Sequence, residues 1–437
     1  MTDLANSSAL SAGSDVRSPV DWKSSDMAAR RKARYAADRR LQFYGMAAIA
    51  FALGFLAILI GTLTFSGYRA FVQTTATVEI NLASAEVDRS DIMAANWRNI
   101  VRDALKAQLP DLPREEERDF FAIYTSSAAF IVRDRVIANP SLLDGTSSFS
   151  IPLSDPMDQL AKGLIDRNLP EDQRRVNNTQ IKLFDQLEAK GVISMPFNWA
   201  IFFNADSRFP ELAGLAGAIS GSFWALLVCF LISFPMGIAA AIYLEEFAPK
   251  NRFTDLIEIN INNLAAVPSV VFGLLGLAVL LGWFGLPRSA PLVGGMVLSL
   301  MTLPTMIIVT RAALKSVPSA IREAALGVGA SKHEAIFHHI LPLAMPSIMT
   351  GTIIGLAQAL GETAPLLLIG MNAFITSPPA GVFEASTALP TQIYIWADSP
   401  ERGFVSRTSA AILVLLGFLL IMNAIAIFLR QRFERRW

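Results

Sequence analysis

Few residues in this sequence have the types and spacing that catalysis requires, and the most suggestive of them share one short stretch. All three histidines lie between positions 333 and 339, and Glu334 directly follows His333. A zinc-binding helix with the pattern His-Glu-x-x-His would need its second histidine at position 337, which is a phenylalanine here. On a helix, His338 would point roughly 100° away from the required face. The sequence therefore predicts no zinc-protease site.

Other catalytic motifs are also missing from the sequence. It holds no GxxxxGK[ST] phosphate loop and no GxSxG nucleophile elbow. Its one cysteine, Cys229, lies in an apolar stretch, so no intramolecular disulfide and no cysteine-based metal site can form. We therefore expect a chain that is not itself an enzyme and that holds no cofactor of its own.

Polar and kink-forming residues inside the apolar segments are the remaining candidates for function. An ionisable group within a membrane span is costly, so Glu362 is the clearest of them. Its carboxylate would repel an anionic substrate unless it is paired or protonated, which favours a structural or gating role. Arg311 ends an apolar segment and would either reach out to the interface, which we favour, or attract an anion. Pro268 would free a carbonyl that could line a pathway, although a kink without function explains it equally well.

The composition indicates the environment in which these residues lie. Of 437 residues, 53% are hydrophobic and 17% are charged, against roughly 45–50% and 25% in soluble domains. The net charge is zero, so no basic excess indicates nucleic acid as a partner. A helix needs about 20 apolar residues to cross a lipid bilayer. Six segments meet this condition, at 44–65, 215–244, 263–283, 292–310, 347–371 and 410–429.

Positive charges beside the first and last spans predict the orientation, because lysine and arginine resist translocation. Both termini are therefore expected on the cytoplasmic side. The charges that indicate this are Arg30, Arg31, Lys32, Arg34, Arg39 and Arg40 before the first span, and Arg430, Arg432, Arg435 and Arg436 after the last.

These spans predict an all-α polytopic membrane protein with a mixed or mostly helical extracytoplasmic domain between the first two helices. We divide the chain into a mobile cytoplasmic tail (1–43), a first transmembrane helix (44–66), the outer domain (67–213), a helical core (214–429) and a basic cytoplasmic end (430–437). The charge run at 114–118 of the outer domain reads as a solvated helix face, with a docking patch as the less favoured alternative.

The cytoplasmic loop at 311–345 carries the most informative local pattern. Pro318 is expected to open a short helix that ends at Gly327 and Gly329. Ser331 and Glu334 form a capping box for a second helix, which we expect Pro342 to stop. Local patterns alone leave a plain connector and a docking hairpin equally possible.

This hairpin resembles the EAA loop of the permease subunits of ABC importers, with the pattern E-A-A, three residues, G, nine residues, I, one residue, L-P. The matching residues are Glu323, Ala324, Ala325, Gly329, Leu341 and Pro342, and the isoleucine position holds His339. The resemblance implies that these matching residues couple the chain to a separate ATPase subunit.

Three further motifs, at 267–274, 361–367 and 388–397, resemble the phosphate-specific transport permeases of the PstA type. The resemblance implies one subunit of an ATP-driven importer that moves inorganic phosphate across the bacterial inner membrane. It also implies as partners a second homologous permease, a dimer of ATP-binding subunits that holds ATP and Mg, and a periplasmic phosphate-binding protein.

The resemblance also bears on the translocation pathway. Such permeases often carry an arginine about one turn before the position of Arg311 and another just before Gly-Glu-Thr, and these places hold Ile308 and Gln358 here. A phosphate pathway would then use Arg311, Gln358 or residues of a partner subunit. The full set of pathway or gating candidates is Arg311, Gln358, Glu362, Thr363, Pro268 and Ser269.

Two rival functions remain open from the sequence. A permease for another oxyanion, such as sulfate or molybdate, would keep the hairpin and change only the selectivity. A membrane-anchored sensor would need a cytoplasmic output domain, and the longest internal loop, 311–345, has only about 35 residues. The hairpin argues against a channel or an ion-coupled carrier, since neither needs an ATPase.

Overall fold

A computed structural model describes residues 25–85, 87–89 and 91–433 of the chain. The helices are α1 (Ser25–Gly67), α2 (Trp97–Lys106), α3 (Glu117–Ala122), α4 (Ala128–Ala138), α5 (Asp155–Ala161), α6 (Asn178–Ala189), α7 (Ala200–Phe203), α8 (Ala216–Ile242), α9 (Arg252–Ala265), α10 (Ser269–Leu275), α11 (Pro291–Ser316), α12 (Ser319–Gly327), α13 (Lys332–Glu334), α14 (Leu341–Gly361), α15 (Ala364–Leu368), α16 (Leu389–Ala397) and α17 (Gly403–Phe433). The strands are β1 (Thr75–Asn81), β2 (Thr146–Pro152) and β3 (Ile193–Ser194). Three π-helical segments, Tyr243–Phe247, Gly276–Trp283 and Ala335–Ile340, continue α8, α10 and α13.

Helix α1 begins well before the predicted first span. Residues 25–43, which we expected in a mobile tail, form its first turns. This stretch is rich in alanine and arginine and lacks proline and glycine, so it favours helix. Extending a helix that already exists also costs less than starting one. The rest of the predicted tail, 1–24, lies outside the described residues, as do Arg435 and Arg436 of the predicted basic end.

The chain divides into two structural units, one up to Thr62 and one from Leu63 onward. In the second unit, a three-stranded antiparallel sheet with the order β2-β1-β3 forms the centre of the 67–213 domain. Its register runs from Thr75 opposite Pro152 to Asn81 opposite Thr146. Buried and exposed side chains alternate along most of β1, as expected for a strand with one covered face.

Five helices cover this sheet and close a hydrophobic core. The largest side chains that they and β2 bury together include Phe120, Phe149, Met157, Phe184 and Leu187. Helix α2 buries Trp97, Val101 and Leu105 at a spacing of four, which is typical of an amphipathic helix. The mixed fold predicted for this domain is confirmed.

The polytopic helical fold is also confirmed. Among the residues that the structure describes, five helices are long and apolar enough to cross a membrane, or six if α9 and α10 count as one span. The five are Met27–Phe71, Ala216–Phe247, Pro291–Ser316, Lys332–Gly361 and Gly403–Arg432.

The predicted continuous span at 263–283 is wrong in one respect. Helix α9 ends at Ala265, and α10 begins at Ser269 at an angle of 101° to it. Pro268 explains the break, because proline has no N–H to donate and disfavours helical geometry in the residue before it.

Small residues let the core helices approach closely. Gly295 of α11 lies against Val228 of α8, and Gly351 of α14 lies against Val309 of α11. A Cβ atom at either glycine would overlap these side chains. Glycine is common at such crossings of membrane helices because van der Waals contact between the backbones stabilises them.

Candidate functional site

The hairpin predicted at 311–345 forms as two helices joined by a glycine turn. Helix α12 follows Pro318, and Gly329 adopts a φ of 95°, which side-chain-bearing residues rarely tolerate. The Ser331 Oγ accepts a hydrogen bond from the Glu334 N–H at 3.2 Å, and the Ser331 N–H donates to Glu334 Oε2 at 2.8 Å. This reciprocal capping box fixes the start of the second helix.

The second helix of the hairpin continues beyond the residue predicted to stop it. The π-helical segment Ala335–Ile340 leads directly into α14, and Pro342 occupies the second position of that helix. The hydrogen-bond pattern directly before Pro342 is π-helical, so this proline, which has no N–H to donate, lies at a change of pattern and not inside a regular α-helix. The prediction of a stop at Pro342 is therefore wrong. The hairpin is therefore continuous with the candidate span Lys332–Gly361.

One face of the hairpin packs on the core helices. Ile336 and Ile340 are fully buried in a cluster with Ile242 of α8 and Leu314 of α11. Ala325 of α12 is also buried. Any displacement of the hairpin must therefore act on the ends of α8 and α11, because interiors packed this closely transmit strain.

The opposite face of the hairpin is exposed and partly apolar. Val328 is 87% exposed, Leu326 is 46% exposed and Phe337 is 41% exposed. Glu323 and Ala324 also lie on the surface. Exposed apolar side chains on one short hairpin are typical of a surface that binds another protein.

Two contacts tie the hairpin to the π-helical segment Tyr243–Phe247 at the end of α8. The Arg322 guanidinium forms an ion pair with Glu246, whose side chain is only 4% exposed. The Lys332 ammonium lies 5.2 Å from the centre of the Phe247 ring. These contacts hold both helices of the hairpin against the same short segment.

Arg311 of α11 also forms ion pairs. Its Nε atom lies 3.3 Å from Glu245, and its Nη2 atom lies 2.5 Å from Glu258 of α9. Lys315 contacts the same Glu245 at 3.3 Å. Two carboxylates thus neutralise Arg311, a geometry that favours a structural role over attraction of a free anion.

Sequence reasoning missed the acidic partners in this network. Glu245 and Glu246 follow an apolar span directly, and that position was the available signal. Their partners lie 66 and 76 residues further along the chain, so local spacing gave no reason to pair them.

The structure brings together two of the three sequence motifs. Gly273 of α10 lies against Pro365 of α15, with the position of its missing Cβ only 2.7 Å from the Pro365 Cα. Pro268 and Ser269 mark the break before α10, and Thr363 lies in the break before α15. The candidates at 268–269 and 362–363 therefore lie at the ends of two short helices that contact each other.

We predicted that Glu362 lies within a helix, but it directly follows one. Helix α14 ends at Gly361, and Glu362 has extended backbone angles. Its side chain is half-buried and forms no hydrogen bond or ion pair with any described residue. Gln358, one turn earlier, lies on the exposed face of α14. Both side chains are therefore free to contact groups outside this chain.

The third motif forms α16 and the residues before it. The Thr391 hydroxyl contacts the carbonyl oxygens of Met371 and Ala388 at 2.7 and 2.8 Å. The Leu389 N–H donates to Ser222 Oγ of α8 at 2.8 Å. This motif fixes the connection between the last two spans and has no exposed polar group in these contacts.

Two regions of the chain, which together make up most of it, match known protein families. Residues 233–437 match the family described as binding-protein-dependent transport system inner membrane component. Residues 28–171 match a domain of unknown function, DUF3333.

Curated relatives match about half of the chain. A probable ABC transporter permease protein, YqgI of Bacillus subtilis strain 168, is 29% identical over 255 residues, covering 54% of this chain and 84% of the relative. The phosphate transport system permease protein PstA 2 of Mycobacterium tuberculosis strain CDC 1551 is 32% identical over 254 residues, covering 56% and 82%. The PstA protein of Yersinia pestis is 32% identical over 225 residues, covering 49% and 71%.

Solved structures show weaker similarity. A chain of the inward-facing MetNI methionine ABC transporter aligns with a TM-score of 0.38 and 14% identity, covering 50% of this chain and 94% of that one. A chain of a bacterial ABC transporter involved in alginate import aligns with a TM-score of 0.39 and 18% identity, covering 50% and 79%.

Proposed function

This chain belongs to the PstA-type inner-membrane permeases of binding-protein-dependent transport systems, and from that premise we propose that it moves inorganic phosphate into the bacterial cytoplasm. It is a multi-pass membrane protein. In the proposed complex it hydrolyses no ATP itself. A dimer of ATP-binding subunits holds ATP and Mg, a second homologous permease completes the pore, and a periplasmic protein delivers phosphate.

The hairpin is the observation that carries this proposal. Its exposed face, which includes Glu323, Ala324 and Val328, offers an apolar surface to an ATPase subunit. Its buried face packs on α8 and α11, and its second helix continues into α14. In the proposed mechanism, closure of the ATPase dimer pushes on the hairpin and reorients these three helices between two states.

Phosphate as the substrate is supported by the names of the PstA relatives. We assign the groups nearest the pathway to Gln358, Glu362 and Thr363 rather than to Arg311, because Arg311 is already paired with two carboxylates. Gln358 and Glu362 have polar groups available to the second permease or to the substrate. The anion's positive partner would then come from the second permease.

The proposed orientation places both termini and the hairpin in the cytoplasm and the 67–213 domain outside. Positive charge on the first helix, at positions 30–40, supports this arrangement, because such charges resist translocation. The chain needs the lipid bilayer as its solvent, and nothing in its charge supports nucleic acid as a partner.

Uptake of labelled phosphate tests the substrate. Cells that lack their own high-affinity uptake system would receive this chain together with its partner subunits. At micromolar phosphate and in excess sulfate or molybdate, we expect ATP-dependent uptake that disappears when this chain is left out. Uptake that sulfate or molybdate suppresses would assign the chain to another oxyanion instead.

A glycine pair in the hairpin tests the coupling. Neither Gly327 nor Gly329 has any neighbour within 4 Å of an added Cβ, but only Gly329 has a positive φ. We expect Gly329→Asp to cut uptake at least tenfold while ATP hydrolysis by the assembled complex continues. Gly327→Asp adds the same charge two residues away and should keep most of the uptake. Equal uptake by both variants would contradict the coupling role.

A further inference from the structure

The 67–213 domain contains a cavity whose lining residues belong neither to the hairpin nor to the pathway candidates. Its volume is about 790 Å³, within the range of roughly 300–1,000 Å³ that small-molecule sites occupy. Its walls are formed by residues from α2, α3 and α4 and from the segments that precede each of these helices. We name it the arginine cleft after five of these residues, Arg98, Arg102, Arg114, Arg118 and Arg133.

The arginine cleft carries an excess of positive charge. Among the lining residues that the structure describes, Glu117 is the only one with a carboxylate. This carboxylate already accepts from Lys106 at 2.9 Å and lies 3.4 Å from Arg102. The hydrogen bond from Lys106 and both positive charges lower the pKa of Glu117, so it stays ionised and committed to these two partners.

Three of the five guanidinium groups have no partner among the described residues. Arg133 pairs with Asp134 at 2.7 Å. Arg98, Arg114 and Arg118 form no hydrogen bond or ion pair with any residue that the structure describes. Like charges held together repel one another, and an anion bound between them would relieve that repulsion. Arginine, with its planar fork of donors, suits phosphate and carboxylate groups better than lysine does.

Aromatic and apolar side chains form much of the rest of the cleft. The Arg102 guanidinium lies 4.7 Å from the centre of the Phe121 ring, and the Arg133 guanidinium lies 5.0 Å from that of Phe130. Phe130 is 53% exposed, and Met93 is 70% exposed. A ligand that covered these side chains would gain apolar burial in addition to its charge contacts.

We propose that the arginine cleft binds a small organic anion, one that carries a phosphate or similar oxyanion group on an aromatic or apolar body. The charged group contacts Arg98, Arg114 and Arg118, and the body lies against Phe130 and Met93. This site differs from the translocation pathway, and the inference does not depend on which substrate the chain transports.

Calorimetric titration of the purified full-length chain with phenyl phosphate tests this site. Phenyl phosphate combines both parts of the proposed ligand, and inorganic phosphate and phenol each provide one. We expect phenyl phosphate to bind at least tenfold more tightly than either of the other two compounds.

Variants locate the binding. The triple variant Arg98→Gln, Arg114→Gln, Arg118→Gln should weaken phenyl phosphate binding at least tenfold. Arg135→Gln removes an exposed arginine of α4 outside the cleft and should leave binding unchanged. Phe130→Ala should weaken binding about threefold to fivefold, from the lost apolar burial. Ile137→Ala, on the same helix and outside the cleft, is its control.

Three results would overturn the proposal. The first is an absence of phenyl phosphate binding at millimolar concentration. The second is binding that the triple variant retains, and the third is inorganic phosphate binding as tightly as phenyl phosphate. If a hexaglutamate peptide bound through the same arginines while phenyl phosphate did not, the cleft would be a protein-docking surface instead.

Discussion

The ion pair between Arg322 and Glu246 shows how one side chain can hold the hairpin in place. Glu246 is buried and Arg322 is its partner, so Arg322→Gln would leave a carboxylate without its positive charge. We expect this variant to lose about 1–3 kcal/mol of stability, the usual cost of an unsatisfied buried group. The midpoint of thermal unfolding of the purified chain measures the loss.

A second substitution separates lost charge from lost packing. In the double variant Arg322→Gln, Glu246→Gln, two neutral amides replace the pair, and we expect it to recover more than half of the loss in midpoint. If Arg322→Gln alone unfolded at the same temperature as the unaltered chain, the pair would not hold the hairpin.

Short-range sequence patterns predict the local structure of the hairpin but not the ion-pair partners of its neighbours. The capping box at Ser331 and Glu334 and the turn at Gly329 follow from short-range spacing, and the structure contains both. The partners of Arg311 do not follow from spacing, because Glu258 lies 53 residues away and only the packing of α9 on α11 brings it near.

At the scale of elements, the contact between α10 and α15 depends on one glycine. A Cβ at Gly273 would lie 2.7 Å from the Pro365 Cα. This is a backbone atom, so it cannot move aside by a change of side-chain rotamer. We expect Gly273→Ala to separate the two helices at a cost of about 1–3 kcal/mol and to cut phosphate uptake several-fold. Uptake per molecule of membrane-inserted chain is the measurement.

Gly361 offers the matched control for this substitution. It ends α14 and is the first residue of the 361–367 motif, which also contains Pro365, and an added Cβ would have no neighbour within 4 Å. Gly361→Ala should therefore keep near-normal uptake. Normal uptake by Gly273→Ala would show that the close approach of α10 and α15 is dispensable.

Sequence patterns located most helices but not their breaks. Hydropathy placed one span at 263–283 and one at 347–371, whereas the first is broken after Ala265 and the second after Gly361. Hydropathy averages over a window and stays high across such breaks, because one or two polar residues, such as Glu362 and Thr363, change the mean of a long apolar window little. The 101° angle at Pro268 depends on tertiary packing, which no single-chain pattern encodes.

At the scale of the whole molecule, the 67–213 domain is fastened to the beginning of α17. Arg175 contacts Asp155 at 3.4 Å and Glu401 at 2.6 Å. The Arg407 guanidinium donates to the Ala213 carbonyl oxygen, and Gly403 lies directly against Asp155. The 67–213 domain is therefore held by contacts with the start of the last span, in addition to its covalent connections at its two ends.

This junction should respond to pH through Glu211. Burial raises the pKa of Glu211, which accepts a hydrogen bond from Thr125 and lies near Asp155 and Arg407. The folded protein thus holds this proton more tightly than the unfolded chain does, and stability falls as pH rises from about 4.5 through the raised pKa. Unfolding midpoints measured between pH 4.5 and 7.5 should decline accordingly.

Glu211→Gln tests this assignment, because glutamine keeps an oxygen that can accept from Thr125 and cannot ionise. We expect its unfolding midpoint to decline less with rising pH than that of the unaltered chain. Identical slopes in the two proteins would assign the pH dependence to other groups, such as Asp155, whose pKa burial also raises.

The bond between Arg175 and Glu401 also sets an order of events during biosynthesis. These two residues are 226 positions apart in the sequence, so the ribosome adds Arg175 to the growing chain long before it adds Glu401. The 67–213 domain can therefore fold early, but it can dock only once the residues before α17 have been made. A nascent chain halted before residue 401 would expose an undocked domain, which quality-control proteases could cleave.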